Sequence, residues 1–297
     1  MEIKYFNREK QVLEIEKVYG AEAVKWLYST KLGSGLNSLV TQPLVSRLYG
    51  SFQESSLSKK KIRPFIKKFN INISEYEVTG GADFYPSFND FFIRRFREDK
   101  RIFVTQEGRM PAFCESRYFG FESVSAGDRI PVKSAYLDPS HIIDDYTWNE
   151  TFAGGPLLVA RLCPVDYHRF HFPDDGHIID RFKKHGILDS VNPLALHEKP
   201  EIFFENEREV SIFETKNFGK LAYIEVGAVC VGRIVQSYKS DHFKRGDEKG
   251  YFLFGGSTVI LIGEKGKWKP SEDILMNTEN SIETYIKLGD EVATSLN

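Results

Sequence analysis

Apolar positions along this chain change their spacing near residue 100. From Arg8 to Lys31, Val12, Ile15, Tyr19, Ala23, Trp26 and Leu27 recur at helical spacing. Gly33-Ser34-Gly35 interrupts that pattern, and a second apolar segment runs from Leu39 to Tyr49, with Pro43 inside it or at its start. A basic stretch follows, from Lys59-Lys60-Lys61 to Lys67-Lys68. Ser58 is a candidate cap there, and Pro64 predicts either a kink or a helix start close to itself. Ser87 to Arg97 reads as a further helix. Ser87 and Asp90 have capping-box spacing, Phe88, Phe91 and Phe92 share one side, and Arg94 and Arg97 lie on another.

After Arg101 the apolar runs become short and rich in β-branched, aliphatic and aromatic residues. Pro156 to Leu162, Glu209 to Glu214, Leu221 to Val226, Val229 to Val235 and Thr258 to Ile262 are examples, separated by Gly, Pro, Asn and Asp. The pattern predicts an α+β fold. A helical N-terminal region over residues 1–100 leads into a β-rich, mostly antiparallel core over residues 101–297. The boundary is a change of texture with no low-complexity linker, so the two parts can share one core.

Composition narrows the class. The chain has 297 residues, 41% hydrophobic and 28% charged, as in a globular protein with a sizeable core. Its 24 Phe and 14 Tyr favour strands. A net charge of −2 gives no reason to expect nucleic acid as a partner. Cys114, Cys163 and Cys230 lie far apart with no CxxC pair, which argues against a disulfide framework or a zinc ribbon. Met1 to Tyr5 lacks the apolar run of a signal peptide, and no stretch approaches ~20 apolar residues. The expectation is a protein kept inside the cell. The N-terminal region leaves two readings open. Lys25, Lys31, Arg47 and the Lys59 to Lys68 cluster can meet anionic head groups beside apolar side chains. Alternatively, the apolar stripes cover the rest of the protein and the lysines are solvated.

Two stretches carry candidate chemistry. In Phe254-Gly255-Gly256-Ser257-Thr258 a hydroxyl follows two glycines between apolar segments. This is either a glycine bulge in a strand or a serine able to attack the carbonyl before it, which Gly256 leaves open. In Cys163-Pro164-Val165-Asp166-Tyr167-His168-Arg169-Phe170-His171-Phe172-Pro173, two histidines fall three apart between prolines. An extended backbone there points them to opposite faces, so they do different jobs or one is structural. They are metal ligands, hydrogen-bonded core residues or acid–base groups; the chain offers no recognisable ligand set to complete a metal site. A serine hydroxyl needs a neighbouring base, and that base benefits from a carboxylate that fixes its tautomer.

Glu248-Lys249-Gly250-Tyr251-Phe252 leading into Gly255-Gly256-Ser257-Thr258, together with Asp166 to Pro173, resembles the phosphatidylserine decarboxylases. Tyr85 to Arg95, Ser190-Val191-Asn192-Pro193, and Val226-Gly227-Ala228 with Gly232 are similar to further segments of that family. The likeness runs from about residue 10 to about residue 290, and five motifs in the family's order make it specific. The resemblance implies a proenzyme that cuts itself between Gly256 and Ser257. The products are a long chain 1–256 and a short chain 257–297, which stay associated. Ser257 becomes an N-terminal pyruvoyl group, the covalent cofactor, which forms a Schiff base with phosphatidylserine and releases CO2 and phosphatidylethanolamine. By position, His171 matches the family's base for self-cleavage and His168 the histidine of the decarboxylation step. The same resemblance implies peripheral attachment to the cytoplasmic side of the cell membrane, through its anionic surface, and allows a homodimer.

The family's self-cleavage aspartate lies in a Pro-Ala-Asp-Gly-Arg-like segment, whereas this chain reads Pro111-Ala112-Phe113-Cys114-Glu115-Ser116-Arg117. Alignment on Arg117 puts Glu115 at that place; alignment on Pro111-Ala112 puts Phe113 there. Glu115 is the expected partner of His171, because a carboxylate is what the histidine needs. Asp166, two residues before His168, is a second carboxylate in range. Two rival functions follow: a cleavage-impaired relative that binds a lipid or partner protein, and a pyruvoyl-dependent decarboxylase of a soluble amino acid.

Overall fold

The computed structural model describes residues 3–16, 50–77, 84–125, 130–132, 135–137, 139–186, 205–227, 233–255 and 257–296. The N-terminal part of the chain holds β1 (Lys4–Asn7), β2 (Val12–Ile15), α1 (Ile62–Phe69) and α2 (Phe88–Phe92). Next come β3 (Arg109–Pro111), β4 (Ser116–Val124), β5 (Ile130–Val132), β6 (Ala135–Leu137), α3 (Pro139–Ile143) and α4 (Tyr146–Phe152). The middle of the chain holds β7 (Gly155–Leu162), β8 (Arg169–His171), β9 (Gly176–Lys184), β10 (Arg208–Thr215) and β11 (Gly219–Val226). Then follow β12 (Ile234–Gln236), β13 (His242–Phe243), β14 (Glu248–Phe252) and β15 (Ser257–Gly263). The C-terminal elements are β16 (Trp268–Pro270), α5 (Glu272–Glu279), β17 (Glu283–Ile286) and β18 (Glu291–Ser295).

A ten-stranded sheet in the order β13-β9-β10-β11-β15-β7-β4-β17-β1-β2 organises the α+β fold. Its pairs are antiparallel except β1 with β17. Side chains alternate across it with period two. Leu158, Ala160, Leu162, Leu221, Tyr223, Val259 and Leu261 pack on one face; Leu157, Val159, Ala222, Ile224, Ile260 and Ile262 pack on the other. Both faces are covered, which is why β7 and β15 read as unbroken apolar runs. The first face carries the small sheets β12-β14-β8 and β16-β18-β3 together with Ile274 of α5; Ile142 and Ile143 of α3 and Phe152 of α4 close the second.

The N-terminal expectation fails at its start. Residues 4–15 form a hairpin on the main sheet rather than the first turns of a helix. Gln11 adopts φ 54°, a left-handed turn conformation that a helix interior excludes, and β1 gains β17 as a second neighbour. The rest of that predicted helix and the segment Leu39 to Tyr49 lie outside the described residues, as do Ser190 to Pro193. Farther on, α1 begins at Ile62 with Pro64 in its first turn, as the fixed proline φ favours. Ser58 does not cap it. Its hydroxyl instead accepts from the Phe88 amide at 2.8 Å, tying the segment before α1 to the start of α2. The Ser87 hydroxyl accepts from the Asp90 amide at 3.1 Å and donates to the Asp90 carboxylate at 2.6 Å, so Ser87 caps α2, but α2 stops at Phe92, short of the expected Arg97.

Candidate active site

Ser257 is the first residue of β15 and is fully buried. It pairs with Leu162 of β7, and β11 flanks the other side of the same strand from Thr258 onward. Strand alternation sends its side chain to the face of Val259 and Leu261, beneath the β12-β14-β8 sheet. Gly256 lies outside the described residues. Gly255 has φ 144°, a conformation that L side chains rarely adopt, so the unusual backbone of the pair is already present at its first glycine. Upstream, Gly250 is required by close approach: a Cβ there would stand 2.3 Å from the Val235 carbonyl. Between these glycines Phe254 is anchored. Its amide donates to Asn89 Oδ1 at 3.0 Å, and its ring meets Phe88 and Phe92 of α2 at 5.1 and 5.0 Å between centroids.

His168 and His171 flank and end the short strand β8. Nδ1 of His168 lies 3.2 Å from Ser257 Oγ, and Nε2 lies 2.9 Å from the Cys163 carbonyl. A carbonyl only accepts, so Nε2 carries the proton and bare Nδ1 accepts from the Ser257 hydroxyl. The Phe92 ring stacks on this imidazole at 3.8 Å. Burial, reinforced by the nearby Arg94 guanidinium, holds the His168 pKa well below the usual histidine range, so the ring is neutral. His171 faces elsewhere. Its Nδ1 donates to the Gly246 carbonyl at 2.9 Å, and its Nε2 stands 3.5 Å from the Tyr167 hydroxyl. Burial pushes its pKa down to about 4, against the pull of the Gly246 carbonyl.

The carboxylates are placed differently from expectation. Glu115 is buried and accepts from Arg101 through both oxygens, from the Tyr285 hydroxyl at 3.0 Å and from the Leu288 amide at 3.2 Å. The segment does reach His171, but through its backbone: the His171 amide donates to the Phe113 carbonyl at 2.9 Å. Asp166 accepts from Arg117 at 2.6 Å and from the Cys163 amide at 2.7 Å, and burial lifts its carboxyl to about 6 despite Arg117. Backbone carbonyls, rather than a carboxylate, thus fix the tautomers of both histidines.

Sequence reasoning missed several side chains here. Asn89 and Phe92 looked like one more part of an amphipathic helix. Arg94 falls on a different side of the predicted helix from the phenylalanines, yet it is buried and grips the Val165 and Asp166 carbonyls at 2.9 and 3.1 Å. Lys249 and Glu225 form a fully buried pair at 2.5 Å, with Lys249 also donating to Gln236 at 2.9 Å. A signal existed for Lys249 alone, a lysine inside the run Glu248 to Phe252.

Near the site, α1 turns Ile62 and Phe65 inward against Phe88, Phe91, Phe92 and Phe254. On the outside, Leu57 and Phe84 are exposed together with Lys60, Lys67 and Lys68. No helix among the described residues is long and apolar enough to cross a membrane.

The sequence profile of the family described as phosphatidylserine decarboxylase matches residues 88–294. A protein of Clostridium novyi named phosphatidylserine decarboxylase proenzyme is 41% identical over 296 residues, covering 99% of this chain and all of the relative. Proteins of the same name from Clostridium kluyveri and Ruminiclostridium cellulolyticum are 42% and 38% identical, each covering 98% or more of both chains.

Proposed function

Because the chain belongs to the phosphatidylserine decarboxylase family, a family of lyases, we propose that it is a self-cleaving proenzyme that converts phosphatidylserine to phosphatidylethanolamine and CO2. The observation that carries the reading is the 3.2 Å contact between Ser257 Oγ and the bare Nδ1 of His168, two fully buried side chains. Ser257 gives up its proton, and its oxygen bonds to the Gly256 carbonyl carbon. The Gly256–Ser257 C–N bond then breaks and the nitrogen is protonated, leaving an ester. Loss of the Cα proton expels the Gly256 carboxylate from Cβ, and hydrolysis of the resulting enamine releases ammonia.

The residues at position 257 suit the pyruvoyl group so formed: the position heads a strand rather than a loop, with an uncharged imidazole on one side. That group supplies a carbonyl for the substrate amine and an electron sink for the carbanion left when CO2 departs. His168 stays beside position 257 and is the proton donor or acceptor there, while Phe92 keeps its ring in plane. The strands β7 and β11 on either side of β15 support continued association of the two chains.

The exposed apolar Leu57 and Phe84 and the exposed Lys60, Lys67 and Lys68, all in the N-terminal part of the chain, support a second part of the reading. That part of the chain rests peripherally on the anionic cytoplasmic surface of the cell membrane, bringing the lipid to the site through the aromatic cluster around Phe254.

Intact-mass spectrometry with a CO2 assay tests the reading. The expected result is a short chain starting at residue 257, its terminal serine replaced by a pyruvoyl group, with CO2 released from phosphatidylserine in vesicles and none from free serine. A single uncut chain with no CO2 release would leave only a lipid- or partner-binding protein. Co-sedimentation should be stronger with anionic than with zwitterionic vesicles.

A further inference from the structure

We propose that Asp166, held by Arg117, is a positioning residue for His168: it fixes the turn from Cys163 to His168 so that the Cys163 carbonyl takes the Nε2 proton and Nδ1 is presented bare to position 257. This rests on the reading that His168 acts at position 257. Asp166 does not reach Ser257 or the His168 ring through any hydrogen bond. It works on the turn between them.

Residues 163 and 166 are tied in both directions. The Asp166 carboxylate accepts from the Cys163 amide at 2.7 Å, and the Asp166 amide donates to the Cys163 carbonyl at 2.8 Å. That same carbonyl receives His168 Nε2 at 2.9 Å, so its direction decides which ring nitrogen keeps the proton. Two arginines hold the turn from opposite sides. Arg117 on β4 contacts the carboxylate at 2.6 Å, and Arg94 contacts the Val165 and Asp166 carbonyls. Arg117 is fixed in turn by Glu16 at 3.1 Å, and Glu16 bridges to Arg161, which pairs with Glu283. All of these charged groups are nine-tenths or more buried. A buried carboxylate with a single well-placed cation and a backbone amide is held to one geometry, since any displacement strands a charge.

The test uses full-length protein in two forms. In the Ser257→Ala background the chain stays uncut, and ¹⁵N-histidine NMR reads the His168 tautomer, assigned by loss of its signal in His168→Gln. The expected state is Nε2–H even without the serine hydroxyl. Asp166→Asn keeps an acceptor for the Cys163 amide and should retain the tautomer. Asp166→Ala should populate Nδ1–H and, in cleavable protein, lower CO2 release by about 100-fold, the scale of a 1 Å misplacement. If Asp166→Ala does not fold, Asp166→Glu serves instead. It keeps the charge opposite Arg117 but shifts the carboxylate by about one C–C bond, 1.5 Å, and should alter the tautomer in the same sense. An unchanged tautomer in Asp166→Ala or Asp166→Glu, with normal CO2 release and only a lower melting temperature, would overturn the proposal. The NMR readout needs no turnover, so it stays separate from failure of the decarboxylase reading, in which unmodified protein releases no CO2.

Discussion

Ser257 Oγ lies 3.2 Å from Nδ1 of His168, and the opposite nitrogen of that ring is committed to the Cys163 carbonyl. A glutamine at 168 can keep one of these contacts but cannot carry a proton in and out. His168→Gln should therefore lower CO2 release by about 10²–10⁴-fold, the usual worth of a positioned acid–base group. A denaturing gel of His168→Gln and His171→Gln then divides the labour. Contact with Ser257 makes His168 the residue whose loss slows cleavage, so CO2 release in this variant is read per cut chain. If only His171→Gln stays uncut, His171 starts the cleavage, as its place in the motif implies, and His168 is confined to turnover.

Glu115 is bound by Arg101, Tyr285 and the Leu288 amide rather than by a histidine. Glu115→Gln should lower stability by about 2 kcal/mol, the scale of a lost charged hydrogen bond, while self-cleavage still runs to completion. An uncut chain with an unchanged denaturation midpoint would instead make Glu115 a partner of His171.

Acid should weaken the uncut protein through His171. Its folded pKa, about 4, lies below the ordinary 6.5, so the unfolded chain binds the proton more readily between those values. Stability from the neutral ring is complete above 6.5 and is lost as pH falls toward 4. Asp166 and Glu225 are shifted upward by burial, to about 6 and about 7, and act in the opposite sense. The clean measurement is a comparison. In a Ser257→Ala background, adding His171→Asn should reduce the stability lost between pH 7 and pH 5, read by urea unfolding. Equal losses would exclude a neutral buried His171.

Lys249 and Glu225 are both inaccessible and 2.5 Å apart, with burial raising the acid and lowering the amine. Lys249→Met strands the carboxyl and should cost about 3–5 kcal/mol; Lys249→Met with Glu225→Leu should recover most of it. Chemical denaturation of the two variants checks this, and a double variant no better than the single one would contradict it.

Gly255→Ala places a side chain at φ 144°, where the cost is about 1–3 kcal/mol. A time course on gels should show slower maturation than in the parent. An unaltered course would mean that the turn does not depend on this conformation.

Much of this molecule was legible in the sequence. Apolar runs such as Leu157 to Leu162 declared strands, and the Gly-Gly-Ser junction with the two histidines marked the region where the site forms. The misreadings have physical causes. Val12 to Ile15 carry a helix-compatible spacing, but pairing with β1, itself docked on β17, outweighs it. Glu115 is expected at a histidine from its alignment on Arg117 and from its charge, neither of which shows which cation reaches it in the fold. Arg101 comes from a loop whose position no local pattern reveals, and it takes the carboxylate. The Cys163 carbonyl could not be foreseen at all, since every residue has one and only the folded turn aims it.

A cut before Ser257 severs the backbone at the edge of a strand without opening the sheet, because β7 and β11 on either side of β15 both belong to the longer piece. On the proposed reading, the protein assembles as one body and works as two. Refolding after the cut becomes an encounter between separate molecules, dependent on concentration, with both edges of β15 exposed in the meantime. Maturation is in this sense a one-way passage, and the lifetime of the cut enzyme is set by how slowly its short piece escapes.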